Sequence, residues 1–208
     1  MSVNSLAHRE DILRAAITEF GQAGYQAAST NEIVKNAKVS KGLLFHHFKN
    51  KEKLYEECQL YVLEQYASYM VDRIDFSSSD IFERLLQILH IKMGFGKQNP
   101  EFLTLINRVL YAEEKEKNIL HKAFGEAQTL QRMNKKMVGL FENLDTSKFR
   151  EGMDVFKVMD YTSLTLEASW ARYYQKYHND PEVMAMQIEN YLIEAEDIIS
   201  VLKNGIYK

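Results

Sequence analysis

Residues 29–53 read STNEIVKNAKVSKGLLFHHFKNKEK, and the fold is decided there. Ser29 supplies a helix N-cap, and Glu32, three positions on, completes a capping box by reaching back to the Ser29 N–H. Ile33, Val34 and Ala37 form the apolar side of the short helix that follows. After a turn over Asn36 to Val39, Ser40 is a second N-cap, and Leu44 and Phe48 stand four apart on one face, turned to the core. The other face carries Lys41, Gly42, Leu43, Phe45, His46 and His47, a mixture that packing alone does not ask for. Lys49, Asn50 and Lys51 then open another helix. Two short helices across a tight turn, abutting a third, are the layout of a helix-turn-helix, which lays its second helix in the DNA major groove.

On that layout the polar face has a chemistry. Lys41 meets a phosphate or a guanine edge, and Gly42 lets backbone approach DNA with no Cβ in the way. Leu43 and Phe45 offer apolar contact to thymine methyl groups, while His46 donates or accepts at a base edge. A metal site at His46-His47 is disfavoured, because adjacent helical residues point about 100° apart and no further Cys, Asp or Glu completes a ligand set. No cofactor is expected.

The rest of the chain sets the frame. Its 208 residues are 46% hydrophobic with nine glycines and two prolines, which favours a folded, mainly helical protein. No apolar run approaches the roughly 18 residues of a membrane span and no leader pattern precedes the first helix, so a soluble cytoplasmic protein is expected. The single cysteine, Cys58, excludes an intrachain disulfide and reads as a packing residue. Residues 1–55 hold eight Lys/Arg against five Asp/Glu, and the remainder 18 against 24, a basic end on an acidic body.

About nine helices and no strands are expected, an all-α chain. The first spans about Ala7 to Ala23, with Ile12, Ala16 and Phe20 four apart. One begins near Asn50; another follows Asp80 and ends at Gly94 and Gly96. Asn99-Pro100 and Asp180-Pro181 each place a capping residue before proline at the first helical position. Further helices are expected over about Glu116 to Asn143 and Gly152 to Tyr177, and a last one from Pro181 to about Lys203, closed by Asn204-Gly205. Tyr161, Leu164, Ala168 and Ala171, and then Ile188, Leu192, Ala195, Ile199 and Leu202, recur at steps of three and four. Periodicity leaves open whether those seams are buried within one subunit or between two.

Several residues agree in one register with a known family. Ser29, Ile33, Val34, Val39, Ser40, Lys41, Gly42, Phe45, Phe48, Lys51, Glu52 and Leu54, with Phe20-Gly21-Gln22-Ala23-Gly24-Tyr25 upstream, resemble the DNA-binding domain of TetR-type bacterial transcriptional regulators. The likeness covers about the first 55 residues. It implies a helix-turn-helix DNA-binding domain over 1–55 and a helical effector-binding and dimerisation domain over 56–208. It also implies that His47 and Lys51 contact phosphate, with Ser29 and Ser40 at the helix starts, and that the last two helices form a homodimeric four-helix bundle. A dimer would read a palindromic double-stranded operator, with half-sites roughly 34–36 Å apart. Two positions depart from the pattern: Phe45 replaces a tyrosine and Lys38 stands where glycine is common.

The same resemblance implies a small organic effector in the helical body and a repressor released by it. Arg108, Tyr111, Glu167 and Trp170 are the residues singled out for that pocket, as bulky rings with a few polar groups. A constitutive or architectural DNA-binding dimer without effector is the alternative. Enzyme chemistry is disfavoured: a Glu-x-x-His pair, a phosphate-binding glycine loop and a Gly-x-Ser-x-Gly elbow are all missing.

Overall fold

Ile12, Leu13, Ala16, Ile17 and Phe20 are buried along one side of α1 (Val3–Ala27), as their spacing requires. Gly24, at φ 77° and ψ 166°, breaks that helix, so its regular part ends at Ala23 as expected. The computed structural model describes residues 3–110 and 128–208. There α1 is followed by α2 (Thr30–Asn36), α3 (Lys41–Phe48), α4 (Lys51–Arg73), α5 (Ile81–Gln98), α6 (Pro100–Leu110), α7 (Gln128–Val138), α8 (Val155–Tyr177), α9 (Pro181–Met186) and α10 (Ile188–Ile206). Short 3-10 turns lie at Gly139–Phe141 and Thr146–Lys148. Among the described residues an isolated antiparallel bridge, Phe149 to Tyr207, is the nearest thing to a sheet. The chain is all-α, and no described helix is long and apolar enough to cross a membrane.

Two compact units emerge, one of Met1–Ala67 with Glu101–Gln131, the other of Ser68–Pro100 with Arg132–Lys208. Their limits differ from the 1–55 and 56–208 division, because α4 runs unbroken past residue 55 and α6 joins the N-terminal helices. In the first unit Phe20, Tyr25 and Tyr55 form an aromatic cluster, with ring centroids 4.8 Å apart for Phe20–Tyr55 and 5.0 Å for Tyr25–Tyr55. Arg9 pairs with Glu57 and lies 5.3 Å over the Phe48 ring, which ties α1 to α3 and α4. Cys58 is buried, and burial pushes its thiol pKa well up, as suits a packing residue.

The second unit is built from α5 and α8 to α10. Asp80 caps α5 through the Phe82 N–H at 2.9 Å, and also accepts from Tyr207 Oη at 2.9 Å and Lys203 Nζ at 2.8 Å. Buried Arg84 donates to the carbonyls of Gly139, Leu140 and Glu142 at 2.8–2.9 Å, which satisfies the 3-10 turn. Gly94 and Gly96 do not end α5, which continues to Gln98; a Cβ on Gly94 would lie 3.2 Å from Tyr69 Oη, so glycine there admits the tyrosine. Asp180 caps α9 through the Val183 N–H at 3.0 Å, but the last predicted helix divides at Gln187. Its second part, α10, runs past Asn204-Gly205 to Ile206. The helix expected from Gly152 begins at Val155, capped by Asp154 at 2.9 Å from the Lys157 N–H. That expected over Glu116 to Asn143 is described only from Gln128, and gives way to a 3-10 turn after Val138.

The two repeating seams have different fates. Ile188, Leu192, Ala195 and Ile199 of α10 are buried against their own chain, with α5 and α8 as the packing partners. By contrast Tyr161, Leu164, Ala168 and Ala171 of α8 are exposed, as are Ile193 and Val201 on the other side of α10.

Candidate nucleic-acid interface

Ser29 takes an extended conformation and its Oγ accepts from the Glu32 N–H at 3.5 Å, so α2 starts where the sequence places it. The reciprocal half of the capping box is absent: the Ser29 N–H donates instead to Glu19 Oε1 at 2.7 Å, a carboxylate of α1 that local sequence cannot reveal. At the other end Val39 N–H bonds Val34 O at 3.0 Å and Lys38 N–H bonds Lys35 O at 3.2 Å. This is the double bond pattern of a Schellman stop, whose left-handed position is Lys38 at φ 54°. A lysine there costs about 1 kcal/mol relative to glycine, and it puts an exposed cation in the turn.

Ser40 then caps α3 by accepting from the Leu43 N–H at 3.2 Å. Leu44 and Phe48 are 0% and 1% exposed, so they hold the helix, while Lys41, Gly42 and His46 are exposed and Leu43, Phe45 and His47 partly so. Gly42 is informative because a Cβ added to it would meet only Ser40 Oγ, at 3.9 Å. Nothing in the fold itself requires glycine at that position. Asn50 Oδ1 accepts from the Lys53 N–H at 2.7 Å and caps α4 beside the same face.

Two cations, Lys41 and Lys51, differ from the simple expectation of free DNA ligands, and a third, Lys49, joins the same surface. Lys41 Nζ donates to Asn31 Oδ1 at 3.0 Å, linking the first turns of α3 and α2. Lys51 Nζ donates to Gln26 O at 3.1 Å and lies 5.2 Å over the Tyr25 ring, so part of its role is to fix the exit of α1. Lys49, exposed at φ 61°, ends α3 and was not among the predicted contacts. His47 has its Nε2 enclosed with no partner among the described residues. Burial, followed by the charges of His46, Arg9 and His8, lowers its pKa, which favours the neutral ring.

The residues expected in an effector pocket fall to different units, Arg108 to the first and Glu167 and Trp170 to the second. Arg108 donates from Nε to Gly21 O and from Nη2 to Gln22 O, both at 2.9 Å, so it satisfies carbonyls at the end of α1. A Cβ at Gly24 would come within 2.8 Å of its Nη1, which makes this glycine necessary for the arginine as well as for the backbone turn. Tyr111 lies outside the described residues. Trp170 packs on Tyr173 and Tyr191 at 5.1 and 5.0 Å in the second unit, and Glu167 on the same helix is exposed. An open groove of about 680 Å³ does occur, but it lies along α1 and the α2–α3 turn, lined by residues that include His8, Asp11, Arg14 and Lys38.

Comparison with known proteins agrees with this geometry. Residues 12–58 match the family described as bacterial regulatory proteins, tetR family. The transposon Tn10 TetC protein of Escherichia coli is 33% identical over 85 residues, covering 38% of this chain and 43% of that protein. The HTH-type transcriptional regulator UidR of Escherichia coli strain K12 is 28% identical over 119 residues, covering 51% and 60%. The chain thus spans less than two thirds of the length of these curated relatives. A TetR family transcriptional regulator from Chloroflexus aurantiacus superposes with a TM-score of 0.64 at 17% identity, over 100% of this chain and 95% of that one, which is a likeness of fold.

Proposed function

We propose that this chain, which belongs to the TetR family of bacterial regulatory proteins, is a ligand-responsive DNA-binding transcriptional regulator, a repressor that a small organic molecule releases from its operator. The observation that carries the reading is the division of α3: an apolar pair that folds it, and an exposed face with a glycine the fold does not need. In this account residues 1–55 read DNA, and 56–208 dimerise and sense. Lys41, Gly42, Leu43, Phe45 and His46 face the bases, whereas Ser29, Ser40, His47 and Lys51 position the domain on phosphates. The α4 N-terminus adds its dipole to a phosphate.

Two copies are needed because one such helix reads too few base pairs. The exposed seam of α8, with Ile193 and Val201 of α10, supports a homodimer built on the last two long helices and a palindromic operator. For the effector, Gln59 offers support: it is 2% exposed, and neither amide atom has a partner among the described residues. A buried amide group left so costs about 1–3 kcal/mol, which hydrogen bonds to a bound molecule would offset. Glu167 and Trp170 stay among the proposed effector contacts; Arg108 does not, because its guanidinium is committed to the carbonyls of α1.

The test is a mobility shift on the DNA flanking the gene of this chain, repeated across a salt series. Sequence-preferring binding by a dimer, with a salt slope of several units, is expected. Failure to prefer any sequence at moderate salt would refute the assignment.

A further inference from the structure

Asn31 and Lys41 sit in the first turns of α2 and α3, both exposed, and are joined by the 3.0 Å bond from Lys41 Nζ to Asn31 Oδ1. Neither the caps nor the core depend on this bond, since Ser29 and Ser40 make the caps and Ile33, Leu44 and Phe48 the core. Its consequence is chemical. An ammonium can only donate, so the bond fixes which side of the Asn31 amide faces the lysine: one of the two Oδ1 lone pairs is occupied, beside a cation, and both Nδ2 hydrogens are left unused by it.

An asparagine with both amide atoms available reads adenine, accepting from N6 and donating to N7. On Asn31 the accepting half of that pair is shared with an ammonium, whose charge opposes the approach of adenine's amino donor. Together the two side chains present four unused hydrogens, two from Nδ2 and two from Nζ, against one remaining Oδ1 lone pair. In the major groove the matching edge is guanine, whose O6 and N7 are adjacent acceptors, whereas adenine and cytosine oppose an amino donor to a donor. The bond also restrains a lysine that is otherwise a flexible point charge indifferent to its acceptor.

We propose that Asn31 and Lys41 act as one donor-rich, cationic unit that reads guanine in the operator half-site, with Asn31 as the positioning residue that makes Lys41 selective. This rests on the reading of the chain as a DNA-binding regulator. The test is selection from a random double-stranded oligonucleotide library by the full chain, by Lys41→Met and by Asn31→Ala. Wild type should enrich sites in which one position per half-site is guanine by roughly tenfold or more over other bases. Lys41→Met frees Oδ1, so the preference at that position should move from guanine to adenine. Asn31→Ala should relax it, and Asn31→Gln should restore part of it. If Lys41→Met and Asn31→Ala enrich the same sites as wild type, the unit does not exist, while the DNA-binding reading survives. If wild type enriches nothing, both fall. Unchanged thermal melting in each variant establishes that the fold is intact, as the exposure of both residues requires.

Discussion

α3 and α10 each bury one apolar face, yet they divide their surfaces in opposite ways. In α3 the apolar pair Leu44 and Phe48 turns inward and the remaining face is a mixture of cation, glycine and rings, so the chemistry of the residues says what each side is for. In α10 the regular seam Ile188, Leu192, Ala195 and Ile199 is spent within its own chain, and the face left over carries Ile193 and Val201 among charges. The seam left exposed belongs to the neighbouring helix, α8. A helical period announces that a face is covered; it does not say by what.

Core substitutions should break the two helices alike and so mark the baseline. Phe48→Ala should cost about 3–5 kcal/mol and Leu192→Ala about 2–5 kcal/mol in denaturant unfolding, because each empties a packed site. Losing less than 1 kcal/mol at either would mean that the face is not core. A sharper contrast comes from Leu164→Glu, on the exposed seam of α8. It should leave the melting of the chain at fixed protomer concentration no higher than wild type and convert dimers to monomers in sedimentation at micromolar concentration. If wild type is itself a monomer there, the bundle assignment is wrong.

Much of this contrast was legible in the residues and some was not. The caps at Ser29, Ser40, Asp80 and Asp180 were readable because a short polar side chain and its N–H targets lie within one turn. The division of α3 followed from a four-residue spacing. The carbonyl partners of Arg108, Gly21 and Gln22, lie 87 and 86 residues away, so local pattern gives no sign of them. Tertiary packing likewise gives the Ser29 N–H the Glu19 carboxylate rather than that of Glu32, and Gly94 of α5 makes room for Tyr69 where a stop is expected. Asn31 was overlooked although it stands at a helix start beside Ser29; only the bond to Lys41 distinguishes it from a solvated asparagine.

Three smaller effects refine the comparison. Gln59→Leu removes two buried, unpartnered amide atoms, and should raise stability by about 1–2 kcal/mol while removing the response of DNA binding to effector. A destabilised variant would show that the amide has a partner within the fold. Lys38→Gly relieves a left-handed lysine and should stabilise by about 1 kcal/mol, with the salt slope of DNA binding reduced by about one unit if Lys38 meets phosphate. Smallest in stability is Gly42→Ala, which has room for its methyl group and should gain up to about 1 kcal/mol of helix propensity. Weaker DNA binding in that more stable variant would separate the reading face from the folding face, and equal binding would place Gly42 away from DNA.

The central claim, that the exposed face of α3 reads sequence, is tested most directly by the ratio of affinities for a selected site and a scrambled one, measured by fluorescence anisotropy at physiological salt. The account predicts that the selected site binds about 10³-fold or more tightly, and that His46→Ala changes the ratio without changing affinity for the scrambled site. Equal affinity for the two DNAs would contradict it.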